Sequence, residues 1–155
     1  MPETAAAPGS APALTLNDML CFAVYSANNA FNRFYKPLLA EAGLTYPQFL
    51  VLMALWETDG QSVGRLGDRL GLESNTLTPL LKRMEAGGLL ERRRSETDER
   101  QVLALLTPRG RSIQTEIGPA IACVFEASGL DVDEVVALKA DIDRIRDRLE
   151  AARPA

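Results

Sequence analysis

The stretch from Glu73 to Leu106, ESNTLTPLLKRMEAGGLLERRRSETDERQVLALL, constrains the fold more than any other part of the chain. Its first half places Leu77, Leu80, Leu81 and Met84 at i, i+3, i+4 and i+7, the spacing of a helix with one buried stripe. Ser74 is a suitable N-cap for that helix, and Gly87–Gly88 ends it. LLERRR and QVLALL then read as two short strands joined by the polar loop SETDER. Just upstream, SVGRLGDRLG reads as a shorter helix, capped by Ser62 and stopped at Gly71, despite its internal glycines. Helix, turn, helix and ribbon in that order describe a winged helix-turn-helix.

The remaining segments supply long helices on either side. Leu16 to Ala42 carries apolar residues at 16, 20, 23, 27, 31, 34 and 38, helical spacing sustained over many turns, and Gly43 ends it. LTYPQFLVLMALWE follows, with Thr45 as N-cap, Pro47 in the first turn and a buried apolar run up to Trp56. Thr107 and Pro108 start another helix, with Ile113, Ile117, Ile121 and Val124 on its apolar side. After Gly129, Asp131 caps a last helix with apolar positions at 135, 138, 142, 145 and 149. The expected fold is mostly α with a small β-ribbon. Residues 14–155 form one domain, with the winged helix-turn-helix at about 45–107 and helices for dimerisation at about 15–42 and 107–153.

Composition excludes several function classes. No apolar run approaches the roughly 18–20 residues of a membrane span. Residues 1–13, MPETAAAPGSAPA, hold three prolines and no Lys or Arg, so they read as a disordered tail on a cytoplasmic protein rather than a secretory signal. With no histidine and only two cysteines, neither a zinc site, a histidine-based triad nor a disulfide framework is expected. No metal or cofactor is expected.

The net charge of −4 hides an uneven distribution. Residues 1–63 sum to −3 and residues 112–155 to −4, but residues 64–111 sum to +3. A cationic island that coincides with the winged helix points to double-stranded DNA. Opposite the buried stripe of its second helix lie Asn75, Thr78, Pro79 and Lys82, flanked by Thr76 and Arg83, with Ser74 at the start. Amides and hydroxyls suit base edges, while Lys and Arg suit phosphates. The ribbon adds Arg92, Arg93 and Arg94, and Arg100 returns from a tip that also holds Asp98; a narrow minor groove attracts an arginine so placed. Solvated charged faces, or a winged helix that binds protein, are the competing readings. The last helix alternates by three and four as a partner helix requires, although packing within one chain is a fair rival. Two copies on a pseudo-palindromic site would bind far more tightly than one.

One cysteine, Cys21, and all three tyrosines, Tyr25, Tyr35 and Tyr46, lie within a short early segment. Cys21, Tyr25, Asn28, Asn32 and Tyr35 fall on one narrow helical stripe. Tyr25 is one turn from Cys21, but Tyr35 is fourteen residues on, about 21 Å along a straight helix. If both serve one cysteine, Tyr35 must come from the other subunit. Taken alone, Cys21 reads as a small buried hydrophobe.

DERQVLALLT has the form of the MarR wing signature. LCFAVYSA, YKPLL, LTYPQFLVLMALWE and LTPLLKRMEAGGLLERRRSETDER resemble the organic-hydroperoxide-sensing repressors of that family, the OhrR type, over roughly residues 14–125. The resemblance implies a homodimer that represses a peroxide-resistance gene. It implies Cys21 as sensor, Tyr25, Tyr35 and Tyr46 as donors to its thiolate, and Cys123 as the resolving thiol of the two-cysteine members. An organic hydroperoxide is then the oxidising effector. Whether a Cys21–Cys123 disulfide would form between subunits or within one stays open. A repressor controlled by a non-covalent ligand is the alternative, and a thiol peroxidase a weaker third.

Overall fold

The computed structural model describes residues 14–154, so the expected tail at 1–13 lies outside the described residues. A 3-10 turn at Leu16–Asp18 leads into α1 (Leu20–Ala40) and α2 (Tyr46–Glu57). There follow β1 (Gln61–Ser62), α3 (Val63–Leu70), α4 (Ser74–Ala86), β2 (Leu90–Arg94) and β3 (Val102–Leu106). Two long helices, α5 (Pro108–Ser128) and α6 (Val132–Ala151), complete the chain.

Most boundaries follow the local chemistry. Ser62 accepts the Arg65 amide at 3.2 Å, Thr107 the Gly110 amide at 3.0 Å, and Asp131 the Glu134 amide at 2.9 Å. Each satisfies a first-turn N–H that has no partner within its helix. Gly71 and Gly129 end their helices in the left-handed region, at φ 64° and 69°.

Three expectations need correction. The first helix is not continuous from Leu16, because Thr15 and Asp18 bond each other through Oγ1 at 2.7 Å and through the Thr15 amide at 2.9 Å. That box closes a separate turn, and Met19 is extended before α1 begins. The ribbon has a third strand: β1 pairs antiparallel with β3, Gln61 opposite Ala104 and Ser62 opposite Leu103, giving the order β1-β3-β2. A two-residue strand shows no alternation to read. Ser74 is not the cap of α4 but its first residue; Glu73 occupies the cap position, and no side chain caps that end.

The core lies where the winged helix meets α1 and α5. Leu52 and Leu55 of α2, Leu66 of α3, Leu77, Leu81 and Met84 of α4 and Leu90 of β2 are all fully buried, with Leu39, Ile113 and Ile117 closing the cluster. Each such side chain contributes on the order of 1.5–3 kcal/mol through burial. By contrast α6 buries no residue, and Leu138, Ile142 and Leu149 of its expected seam are exposed. Packing within the chain does not fill that seam.

The junction of sheet and α5 leaves no room for a side chain. A Cβ on Gly110 would sit 2.0 Å from the Leu89 carbonyl oxygen, and the Gly110 carbonyl accepts the indole N–H of Trp56 at 2.9 Å. Gly110→Ala should therefore destabilise the fold by about 2–3 kcal/mol, as overpacking of a close contact does. Gly118→Ala, in the same helix with nothing within 4 Å, should be stabilising by about 0.5–1 kcal/mol. Urea denaturation of both variants checks the contrast.

Candidate nucleic-acid interface and thiol site

Burial of Leu77, Leu80, Leu81 and Met84 fixes which way α4 faces. Ser74, Asn75, Thr76, Pro79, Lys82 and Arg83 are exposed on its outer side, and Thr78 is half-buried at the margin. Pro79 has no N–H, so the Asn75 carbonyl loses its helical partner and stays open as an acceptor. The result is a polar helical face with uncommitted donors and acceptors.

Ion pairs divide the cations of this region into two sets. Arg92 is bound by Glu85 of α4: the carboxylate accepts its backbone N–H at 2.9 Å and its Nε and Nη2 at 2.9 and 2.8 Å. Those bonds hold the Glu85 carboxyl below the usual range, the backbone bond first and the guanidinium bond second. Arg93 pairs with Glu91 on its own strand, and Arg69 with Glu57. Among the described residues, Arg65, Lys82, Arg83, Arg94 and Arg100 have no acidic partner. Arg92, expected at the DNA face, is held by Glu85, and its guanidinium fastens the wing to α4. Arg65 was not singled out in the sequence, because only the fold reveals that it is unpaired beside the wing.

Asp98 organises the wing tip. Its Oδ1 accepts the Arg100 amide at 3.1 Å and its Oδ2 the Gln101 side-chain amide at 3.0 Å. Ser95, buried at the base of the loop, accepts the Asp98 amide at 3.3 Å, and its own amide reaches the Gln101 carbonyl at 2.9 Å. Asp98 thus sets the backbone that carries Arg100.

The thiol site is divided along α1. Cys21 is exposed and unpaired, not a buried hydrophobe within the chain. Tyr25, one turn away, is 62% exposed and rests near Phe22, with ring centroids 6.4 Å apart. Tyr35 lies buried near the other end, its ring 5.1 Å from that of Tyr46 and 5.4 Å from that of Phe49. Burial raises both phenol pKa values above 10.0, and the neighbouring Tyr46 adds to the effect at Tyr35. Both hydroxyls are held as protonated donors, and among the described residues neither donates to a group of its own chain. The structure brings Tyr35 and Tyr46 together and keeps them from their own Cys21.

Cys123 is exposed on α5. One cleft is lined by Ala27, Phe31 and Phe34 of α1 with Val124 and Ala127 of α5, and another by Phe31 and Tyr35 with residues of both α5 and α6.

Residues 33–117 match the family model described as transcriptional regulator SarA/Rot. The chain is 48% identical over 137 residues to the HTH-type transcriptional regulator TtmR of Methylorubrum extorquens, covering 88% of this chain and 70% of that protein. It is 42% identical over 125 residues to the organic hydroperoxide resistance transcriptional regulator of Bacillus subtilis, covering 79% and 85%. Reduced AbfR bound to DNA superposes with a TM-score of 0.75 at 36% identity, covering 88% of this chain and 94% of that one. The chain belongs to the MarR family of transcriptional regulators. Within it, the fold is the winged-helix type of DNA-bound relatives. The disulfide form of AbfR superposes with a TM-score of 0.62 at 36% identity, with 84% of this chain and 91% of that one covered.

The tyrosine pair gives a direct optical check. In an alkaline titration followed by phenolate absorbance, the Tyr35→Phe and Tyr46→Phe variants should each lose a component that ionises later than an ordinary tyrosine. The folded state keeps these protons after the unfolded state has released them. Stability should therefore fall as pH rises past the ordinary tyrosine range, and fall less in either variant.

Proposed function

We propose that the chain is a homodimeric repressor that holds a pseudo-palindromic operator through α4 and the wing, and releases it when an organic hydroperoxide oxidises Cys21. The observation that carries this reading is the division of α1: Cys21 and Tyr25 at one end, the Tyr35–Tyr46 pair toward the other. A two-fold axis that sets the start of α1 against the Tyr35–Tyr46 region of the partner brings two protonated phenols to each thiol. Their hydrogen bonds favour the thiolate. The same axis covers Leu16, Met19, Leu20 and Val24 near the start of α1 and the unfilled seam of α6, which one chain leaves exposed.

The chemistry follows from that arrangement. The Cys21 thiolate attacks the terminal peroxide oxygen, the O–O bond breaks, and the departing alkoxide takes a proton to become the alcohol. Cys21 is then a sulfenic acid. Cys123 attacks its sulfur, water leaves, and an S–S bond forms; two thiols have supplied the two electrons the peroxide accepts. We take this bond to join two subunits, a choice that the covalent-dimer test below reads directly. The 42% likeness to a hydroperoxide resistance regulator and the existence of reduced and disulfide forms of AbfR support this reading.

On DNA, Lys82, Arg83, Arg94 and Arg100 neutralise phosphates or enter the minor groove, while Asn75, Thr76 and Thr78 face base edges, with Ser74 and Pro79 beside them. Arg92 and Asp98 act by holding the wing. Arg100→Ala should weaken operator binding strongly with an unchanged melting temperature, and Lys82→Ala should weaken binding to every sequence alike; anisotropy titrations and thermal melts report both. Cys21→Ser should bind DNA normally and ignore hydroperoxide. Cys123→Ser should still be oxidised but stop at the sulfenic or a higher acid. Oxidised wild type should run as a covalent dimer on a non-reducing gel and both single variants as monomers. Release of DNA from the Cys21→Ser protein by hydroperoxide would defeat the sensor assignment and favour a non-covalent effector.

A further inference from the structure

A cleft of about 620 Å³ opens between the start of α3, the flank of α4 and the wing. Its walls include Ser62 and Arg65, the half-buried Thr78, and Arg100 and Gln101 from the wing. Arg65 and Arg100 are distant in sequence, yet both line this one space, and among the described residues neither guanidinium has an acidic partner or a hydrogen-bond acceptor. Arg69, one turn further along α3, is by contrast occupied by Glu57. Arg92 also borders the cleft, but its charge is matched by Glu85. Asp68 is the opposing charge on the rim.

We propose that this cleft seats one backbone phosphodiester of the bound DNA, with Arg65 as its principal ligand and Arg100 closing it from the wing. The proposal rests on the reading of α4 and the wing as the DNA-binding face. Two guanidinium forks, two hydroxyls and a carboxamide are the donors that a phosphate's non-bridging oxygens accept. The cleft offers no aromatic ring on which a base could stack, so it suits backbone rather than base. Asp68 argues for the charge class: two free cations against one carboxylate leave a net of one positive charge, which suits the monoanion of a diester better than a free phosphate dianion. Seated there, a phosphate ties α3 and the wing to the same strand and fixes how deeply α4 enters the groove.

The test uses the full-length dimer, operator and non-operator duplexes, and a potassium chloride series. Arg65→Ala should lower affinity for both duplexes by about five- to tenfold and reduce the slope of log K against log salt by about one. Arg65→Lys should restore the slope but only part of the affinity, because a point charge replaces a fork. Asp68→Asn should tighten both complexes, and Arg69→Ala should leave the salt slope unchanged. In a methylphosphonate scan of the operator, one neutral linkage per half-site should weaken wild type and leave Arg65→Ala indifferent. Inorganic phosphate at matched ionic strength should compete no better than chloride; stronger competition would make the cleft a free-phosphate site and overturn the proposal. An unchanged salt slope in Arg65→Ala, with Lys82→Ala still reducing it, would overturn the seat and leave the DNA-binding face standing. Unchanged slopes in both would overturn the two together.

Discussion

A helix of 21 residues is about 31 Å long, and the rigidity of α1 over that length governs what the rest of the molecule has to do. It is braced on the core through Leu39 and Tyr35, so Cys21 and the Tyr35–Tyr46 pair are held apart by a distance that no rotamer change can close. The start of α1 and the whole of α6 meanwhile leave apolar side chains uncovered. Two separate deficits, a thiol without its phenols and helices without a partner, are met by one two-fold operation. That economy favours the proposed dimer over any rearrangement within a subunit, which would have to break α1 to bring the groups together.

Charge on the DNA face is selected rather than accumulated. Ten basic residues fall within 64–111, but carboxylates on the same or on neighbouring elements pair with several of them. Glu85 spends Arg92 on the joint between α4 and the wing, and Glu57 spends Arg69 on the joint between α2 and α3. The cations left over, Arg65, Lys82, Arg83, Arg94 and Arg100, come from α3, α4 and both sides of the wing loop. By pairing with Arg92 and Arg69, Glu85 and Glu57 fix the geometry in which, on the proposed reading, the remaining cations would meet phosphate.

What could be read in the sequence was whatever depends on a period or on a local cap. The α4 stripe, the strand pair and the caps at Ser62, Thr107 and Asp131 all arise within a few residues, and all appear where the sequence puts them. Features set by contacts across the fold were not legible. The strand at Gln61–Ser62 exists because β3 offers a free edge, and the break at Met19 exists because the Thr15–Asp18 box competes with helix continuation. Ser74 looked like a cap by residue type, yet the Glu73 carbonyl receives the Thr76 and Leu77 amides, which makes Glu73 the boundary. At the thiol site the stripe from Cys21 to Tyr35 was visible as spacing, but the tilted packing of Tyr35 against Tyr46 required α2 to be in place.

In the proposed repressor, the junction between sheet and α5 is the route by which movement at the thiols would reach the DNA. Thr107 bonds the Gly88 carbonyl at 2.6 Å, Trp56 bonds Gly110, and Asp59 accepts the Leu106 amide at 2.8 Å while pairing with Arg111 at 2.7 Å. The end of α2, the α4–β2 turn, the end of β3 and the first turn of α5 are thus one fastened block. Cys123 lies thirteen residues beyond Gly110 on the same helix, about 20 Å away. In the proposed mechanism a pull on Cys123 would reach that block through α5, across Pro119, which lacks the N–H for one helical hydrogen bond. The two recognition helices of a dimer must sit about 34 Å apart to enter successive major-groove faces. On the proposed reading, a tilt of α5 would be enough to misfit that spacing without unfolding or repacking the winged helix.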